Sequence, residues 1–229
     1  MHSNFNRFHN FIQTFEKLTT NHSNLEIFQD FLTLSACSIS NSVDKANFKE
    51  REDSYLNAIR KYLPHECDLF PKLLADIVLQ MENDKPNYRD TLGEIFNELR
   101  LRDVWKGQFF TPDHICQLMA KIIIGDCQAD INAHGFTTIC DPCCGGGALL
   151  LAAIAEMFKS GLKPYKQALF VANDIDIRCV HMTYIQLSLA GVPAIVCHKN
   201  SLTDETFSEW VAPVFIFDRW YSRISNLKE

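Results

Sequence analysis

The chain reads as an α/β protein, a helical first half followed by a parallel sheet with crossover helices. Three observations predict this. Before Gly107 the apolar residues recur at helical spacing. From Gly107 onward, short apolar runs alternate with helical segments, the pattern of parallel strands joined by helices. One strand–helix junction among these carries three consecutive glycines, Gly145, Gly146 and Gly147.

The helical half spans residues 1–106, and the segment "NLEIFQDFLTLSACSIS" sets Leu25, Phe28, Phe31, Leu32 and Ile39 near one face. "ANFKEREDSYLNAIRKYL" does the same with Phe48, Tyr55, Ile59, Tyr62 and Leu63. "PKLLADIVLQMEN" opens on Pro71, which suits a first helical turn, and "NYRDTLGEIFNELRL" is a further amphipathic helix. No chemistry of its own is visible in this half. In residues 107–229, strands are expected at "FTTIC", "ALFVAN", "AIVCH" and "VFIFD", with helices over "GALLLAAIAEMFKS" and "RCVHMTYIQLSLAG". There is no low-complexity linker, so the two halves are expected to pack together.

Composition narrows the class. The 47% hydrophobic and 22% charged residues are ordinary globular values, and no apolar run is long enough to cross a membrane. With no secretory signal, a cytoplasmic location is expected. The nine cysteines then read as reduced and mostly buried. Cys140 and Cys143 form a single C-x-x-C without a second pair, so no metal is expected. The net charge of −6 and the lack of a Lys/Arg stripe argue against strong DNA binding by this chain alone. They leave open DNA presented by a partner.

The strongest local signal is "TTICDPCCGGGALLLAA", a strand ending at Asp141, a glycine turn, and a helix from about Ala148. The glycines allow a sharp turn and close backbone approach, with helix N–H groups directed at a ligand. An acid at the strand end suits a ligand with a cationic amino-acid end better than a pyrophosphate. "LFVANDID" repeats the theme, ending in Asn173, Asp174 and Asp176; an acid there can hold ribose hydroxyls or cap the next helix. The third strand leads to Asn200, which can hydrogen-bond an adenine edge. Upstream, in "KGQFFTPDHICQLMAKI", Thr111 reads as a helix N-cap and Pro112 as the first helical residue. His114, His181 and Met182 take bland readings, solvation for the first and packing for the others.

Together, "DTLGEIFNELRLRDVWKGQFFTP", "DPCCGGGALLLAA", "ANDIDIRCVHMTYIQLSLAG" and "HKNSL" resemble the adenine-N6 DNA methyltransferases, especially modification subunits of type I restriction systems. The resemblance covers about half the chain. It implies a Rossmann-like class I methyltransferase sheet after an N-terminal helical domain, and S-adenosyl-L-methionine as cofactor. Phe110, Thr111 and Pro112 match the family's upstream cofactor element; Asp141, Pro142, Gly145 and Gly147 match its first cofactor motif. Asp174 matches the acid on the ribose, Ile175 the residue beside the adenine ring, and Asn200 the residue near the adenine amino group. Cys143 and Gly146 stand where the family usually has alanine and serine.

The family's catalytic tetrad, Asn/Asp-Pro-Pro-Tyr/Phe, aligns with "DRWY", giving Asp218 and Tyr221 as catalytic candidates at a strand end. Arg219 and Trp220 replace both prolines. The family's sheet has seven strands; four are legible here, so the sheet reads as truncated, with its fourth strand as an open edge. A specificity subunit or a second copy is expected to supply DNA recognition. The leading expectation is a DNA adenine-N6 methyltransferase of a restriction–modification system. The rivals are an inactive S-adenosylmethionine-binding subunit, a methyltransferase acting on another substrate, and, more distantly, a dinucleotide oxidoreductase.

Overall fold

The computed structural model describes residues 7–101 and 111–225. Its first part holds helices α1 (His9–Glu16), α2 (Asn24–Val43), α3 (Phe48–Ile59), α4 (Pro64–Cys67), α5 (Phe70–Asp84) and α6 (Thr91–Glu98). Starts follow local chemistry. The Ser23 hydroxyl accepts from Glu26 N at the head of α2, Pro71 sits in the first turn of α5, and Asp90 caps α6 through Gly93 N. Phe11, Phe15, Phe28, Phe31 and Phe96 interlock at the centre, all fully buried. Tyr55, Ile59 and Tyr62 pack against the core as expected, whereas Phe48 and, beyond α3, Leu63 are 41% and 52% exposed and Arg51 is buried. The Arg51 guanidinium bonds Ser40, Asp44 (2.6 Å) and Glu209 O (2.6 Å), and stacks 4.3 Å from the Trp210 ring centroid. A buried cation needs this full set of partners.

The second part runs α7 (Asp113–His134), β1 (Thr137–Asp141), α8 (Ala148–Lys159), α9 (Pro164–Gln167), β2 (Ala168–Asp174), α10 (Ile177–Ala190), β3 (Ala194–Asn200), β4 (Glu205–Val211), α11 (Pro213–Phe217) and α12 (Trp220–Ser225). The strands form one sheet in the order β1-β2-β3-β4. β1–β2 and β2–β3 pair in parallel, as the alternation of strands and helices predicts; β3–β4 is antiparallel.

The fourth strand is therefore not "VFIFD". Asn200 Oδ1 accepts from Leu202 N (3.0 Å) and Thr203 N (3.3 Å), and Asp204 takes φ +64°, which reverses the chain within a few residues. A reversal this short returns an antiparallel strand, because a parallel one needs a long crossover. Residues 205–211 supply it, and Pro213 then opens α11, so residues 214–217 are helical. β4 closes onto β3, and among the described residues the parallel strand at the sheet's edge is β1, at the other end.

Side chains alternate across the sheet. Ala168, Phe170 and Ala172 of β2 join a hydrophobic core that extends through α1 to α8 and α10, so the helical half and the sheet share one interior. Leu169 faces the other way, into a small cluster with Phe136, Val211, Phe215 and Trp220 under α11 and α12. Thr138 and Cys140 of β1 are exposed on that second face. Cys143 is exposed too, whereas Cys37, Cys116, Cys127, Cys144 and Cys179 are buried, and all nine thiols are free. Among the described residues no group of His, Cys, Asp and Glu is arranged to hold a metal, and no helix is long and apolar enough to cross a membrane.

Candidate ligand-binding cleft

A cleft of about 610 Å³ opens at the C-terminal ends of β1, β2 and β3. Strand ends of an α/β sheet are where backbone and side-chain groups converge without a helix above them. Thr111, Asp141, Pro142, Gly145, Asp174, Ile175 and Asn200 all line it, as does Met119 of α7. Gly147 does not line it but sets the turn that does. Phe110 lies outside the described residues, and Pro112 stands one residue beyond the lining, as the N-cap of α7. The cap thus falls on Pro112 instead of Thr111, which faces the cleft.

The glycine turn is built from both sides. Asp141 Oδ1 accepts from Cys143 N (3.1 Å), and Cys144 N donates to Asn173 O (2.9 Å). Gly145 and Gly147 take φ +53° and +89°, the left-handed region open to glycine at little cost. A side chain on Gly147 would also meet Thr183 Oγ1 at 3.0 Å. Asp174 is buried and holds two backbone donors, Gly145 N on Oδ2 (2.9 Å) and Asp176 N on Oδ1 (2.8 Å). It therefore ties the turn to the end of β2 and retains lone pairs for a ligand. Capping of α10 falls to Asp176, whose side chain accepts from Arg178 N. Ile175 is 57% exposed beside it, an apolar surface open to a flat ring. Asn200 spends its carbonyl oxygen on the β3–β4 turn, which leaves its amide N–H groups for a ligand.

The electrostatics are one-sided. Asp141 and Asp174 flank the turn; burial, and secondarily the Asp174 charge, push the Asp141 carboxyl above its usual range. Lys199 also lines the cleft, but its ammonium pairs with Asp204 at 2.5 Å. Such a cleft favours a ligand with positive charge near Asp141.

Asp218 and Tyr221 do not line the cleft. Asp218 is exposed at the end of α11, and Tyr221, 58% exposed on α12, lies edge-on against Phe215. Arg219 between them takes φ +53°, far from the angle a proline imposes. Trp220 is fully buried against Phe136, with the Arg223 guanidinium 3.8 Å from its ring centroid. The expected position at a parallel strand end does not exist, because this segment is helical. His181 and Met182 are buried and His114 is exposed, as anticipated.

Several contributors were not anticipated. The Ser201 hydroxyl donates to Pro142 O at 2.5 Å, and Thr183 Oγ1 to Gly145 O at 2.9 Å. Gln186 Nε2 donates to Gly146 O at 2.7 Å. The signal available for Thr183 and Gln186 was a pair of polar residues within "MTYIQLSLA", an otherwise apolar helix beside a glycine turn.

The chain is thus a mixed α/β protein with a glycine turn between flanking acids at its strand ends. The family model for N-6 DNA Methylase matches residues 88–218, more than half of the chain and all of the cleft. The chain belongs to the N-6 DNA methylase family. Comparison with curated proteins and with solved structures found no match.

Proposed function

We propose that this protein binds S-adenosyl-L-methionine in the cleft and acts in adenine-N6 methylation of DNA within a restriction–modification system, on a Rossmann-like methyltransferase scaffold. The observation that carries the reading is the pairing of Asp141 and Asp174 around a glycine turn, with the cleft's lysine neutralised by Asp204. The cofactor presents an ammonium that Asp141 suits and ribose hydroxyls from which Asp174 can accept, where a pyrophosphate would be repelled by both carboxylates. In this reading Asp141 faces the amino group, Asp174 the ribose, Ile175 the adenine ring, and Asn200 donates to an adenine ring nitrogen. The bound cofactor supplies the methyl group; these residues hold it in one orientation, which is the main contribution a protein makes to an in-line transfer.

DNA is proposed to arrive through a partner, either a specificity subunit or a second copy of the chain. The acidic net charge and, among the described residues, the unpaired edge of β1 with the exposed Thr138 and Cys140 support this. The location of Asp218 and Tyr221 away from the cleft favours a second reading, a subunit that binds cofactor and leaves transfer to another chain.

Titration calorimetry with S-adenosylmethionine tests the cofactor assignment: wild type is expected to bind, and Asp141→Ala to lose binding. Unchanged affinity in the variant would refute the assignment. Modification-sensitive sequencing of DNA from methylase-deficient cells, with Asp141→Ala as control, then separates the two readings. N6-methyladenine lost in the control supports transfer by this chain, and its absence in both supports the binding subunit.

A further inference from the structure

We propose that Gln186 is a positioning residue, holding the glycine turn between β1 and α8 in its ligand-receiving shape by tying it to the N-terminus of α6. The inference rests on the reading that this turn is a wall of the cofactor cleft. Gln186 lies on α10 and is fully buried. Its amide reaches two other parts of the chain. Nε2 donates to Gly146 O at 2.7 Å and to Asp90 Oδ1 at 2.9 Å, and Oε1 accepts from Leu92 N at 3.1 Å. Asp90 Oδ1 also accepts from Gly93 N at 2.9 Å. One carboxylate oxygen thus caps α6 and receives the amide that grips the turn.

The contact is steric as well as polar. A Cβ on Gly146 would lie 3.1 Å from Asp90 Oδ2 and 3.2 Å from Met182 Cε, so the turn is pressed directly onto the α6 cap. Thr183, also on α10, holds the neighbouring carbonyl of Gly145. With both carbonyls engaged by α10, the opposite side of the turn faces the cleft that Gly145 and Gly146 line. Packing alone does not account for Gln186, since leucine or methionine would fill the same space without burying an amide. Its amide satisfies two buried backbone groups, Gly146 O and Leu92 N, and adds a second donor to Asp90 Oδ1. The cap of α6 is thereby tied to the wall of the cleft through Gln186.

The test uses the full chain and two readouts, S-adenosylmethionine affinity by calorimetry and hydrogen exchange of the amides at residues 144–148. Gln186→Leu removes the grip. Asp90→Ala leaves the Gly146 bond but cuts the brace, and decides the matter if Gln186→Leu does not fold. Asp90→Asn keeps an oxygen acceptor for both Gly93 N and Gln186. The expected result is a rise of about tenfold in turn-amide exchange and in Kd for Gln186→Leu and Asp90→Ala, the scale of one lost buried hydrogen bond. Exchange in α2 and α5 should not change, and Asp90→Asn should behave as wild type. Wild-type exchange and affinity in folded Gln186→Leu or Asp90→Ala would overturn the proposal, as would loosening in Asp90→Asn equal to that in Asp90→Ala. Should wild type fail to bind S-adenosylmethionine, the cofactor reading falls, while the exchange data still decide the brace.

Discussion

Two carboxylates at the cleft differ in what they do for the fold, and isosteric substitution separates them. Asp141 accepts one backbone donor, so Asp141→Asn retains that bond through its amide oxygen. Stability should hold while cofactor affinity falls, because the charge facing the ligand is gone. Asp174 accepts Gly145 N on one oxygen and Asp176 N on the other. In Asp174→Asn one of those sites becomes an NH₂ pointing at an N–H, so stability should drop by about 1–3 kcal/mol, the cost of a buried unsatisfied group. Thermal unfolding of the two variants without ligand reads the difference directly. Equal melting temperatures would contradict the assignment of Asp174 as the clasp of the turn. Gly147→Ala should also destabilise, since φ +89° is unfavourable for alanine and its Cβ would meet Thr183.

At the scale of elements, α11 and α12 act as a plug for the second face of the sheet. Trp220 anchors it, wholly buried with Phe215 against Phe136, Leu169 and Val211. Trp220→Ala should cost about 3–5 kcal/mol of stability, as for other large core truncations, and leave cofactor affinity in the folded fraction unchanged. Urea denaturation paired with calorimetry checks both halves of that statement. The same segment shows where the sequence was legible and where it was not. β1, β2 and β3, with α8 and α10, were readable because a parallel βα unit writes a strand, a glycine or acidic turn and an amphipathic helix in fixed order. "VFIFD" misled because a short buried helix and a buried strand can share one apolar run. Against a strand stood Pro213 before it and the turn at Asn200, which spends the intervening residues on an antiparallel return. Residues lining the cleft were found where they sit in a contiguous motif. Ser201 in the lining and Gln186 behind it were not, because their contacts with Pro142 and Gly146 span 59 and 40 residues of chain.

Across the whole molecule, two buried titratable groups pull stability in opposite directions between pH 4 and 6.5. His181 is enclosed against Trp210 with its Nε2 unpartnered. Burial, helped by His198 and Arg51, pushes its pKa down to about 3 from 6.5, with Asp176 opposing. Its folded form is neutral, so its contribution is present above pH 6.5 and is lost as pH falls toward 3. Asp90 is the reverse case. Burial raises its carboxyl from 3.8 to about 6; Glu94 and Asp113 add to the shift, while Gln186 and Gly93 N oppose it. The folded state therefore binds a proton that the unfolded chain releases, and stability from this group increases as pH falls from about 6 to 4. Over that window the two contributions offset each other. Asp90→Asn removes one of them, because its side chain is neutral at every pH. Relative to this variant, wild type should gain about 2 kcal/mol between pH 7 and pH 4, allowing for partial solvent access at Asp90. Urea midpoints across that range measure the difference, in which His181 and the remaining carboxylates largely cancel. A gain in that difference means that Asp90 takes up a proton in the folded protein, at the contact where α6, α10 and the glycine turn meet. A constant difference means that its carboxylate stays charged, and that the Gln186 amide and the Gly93 N–H outweigh the cost of burying it.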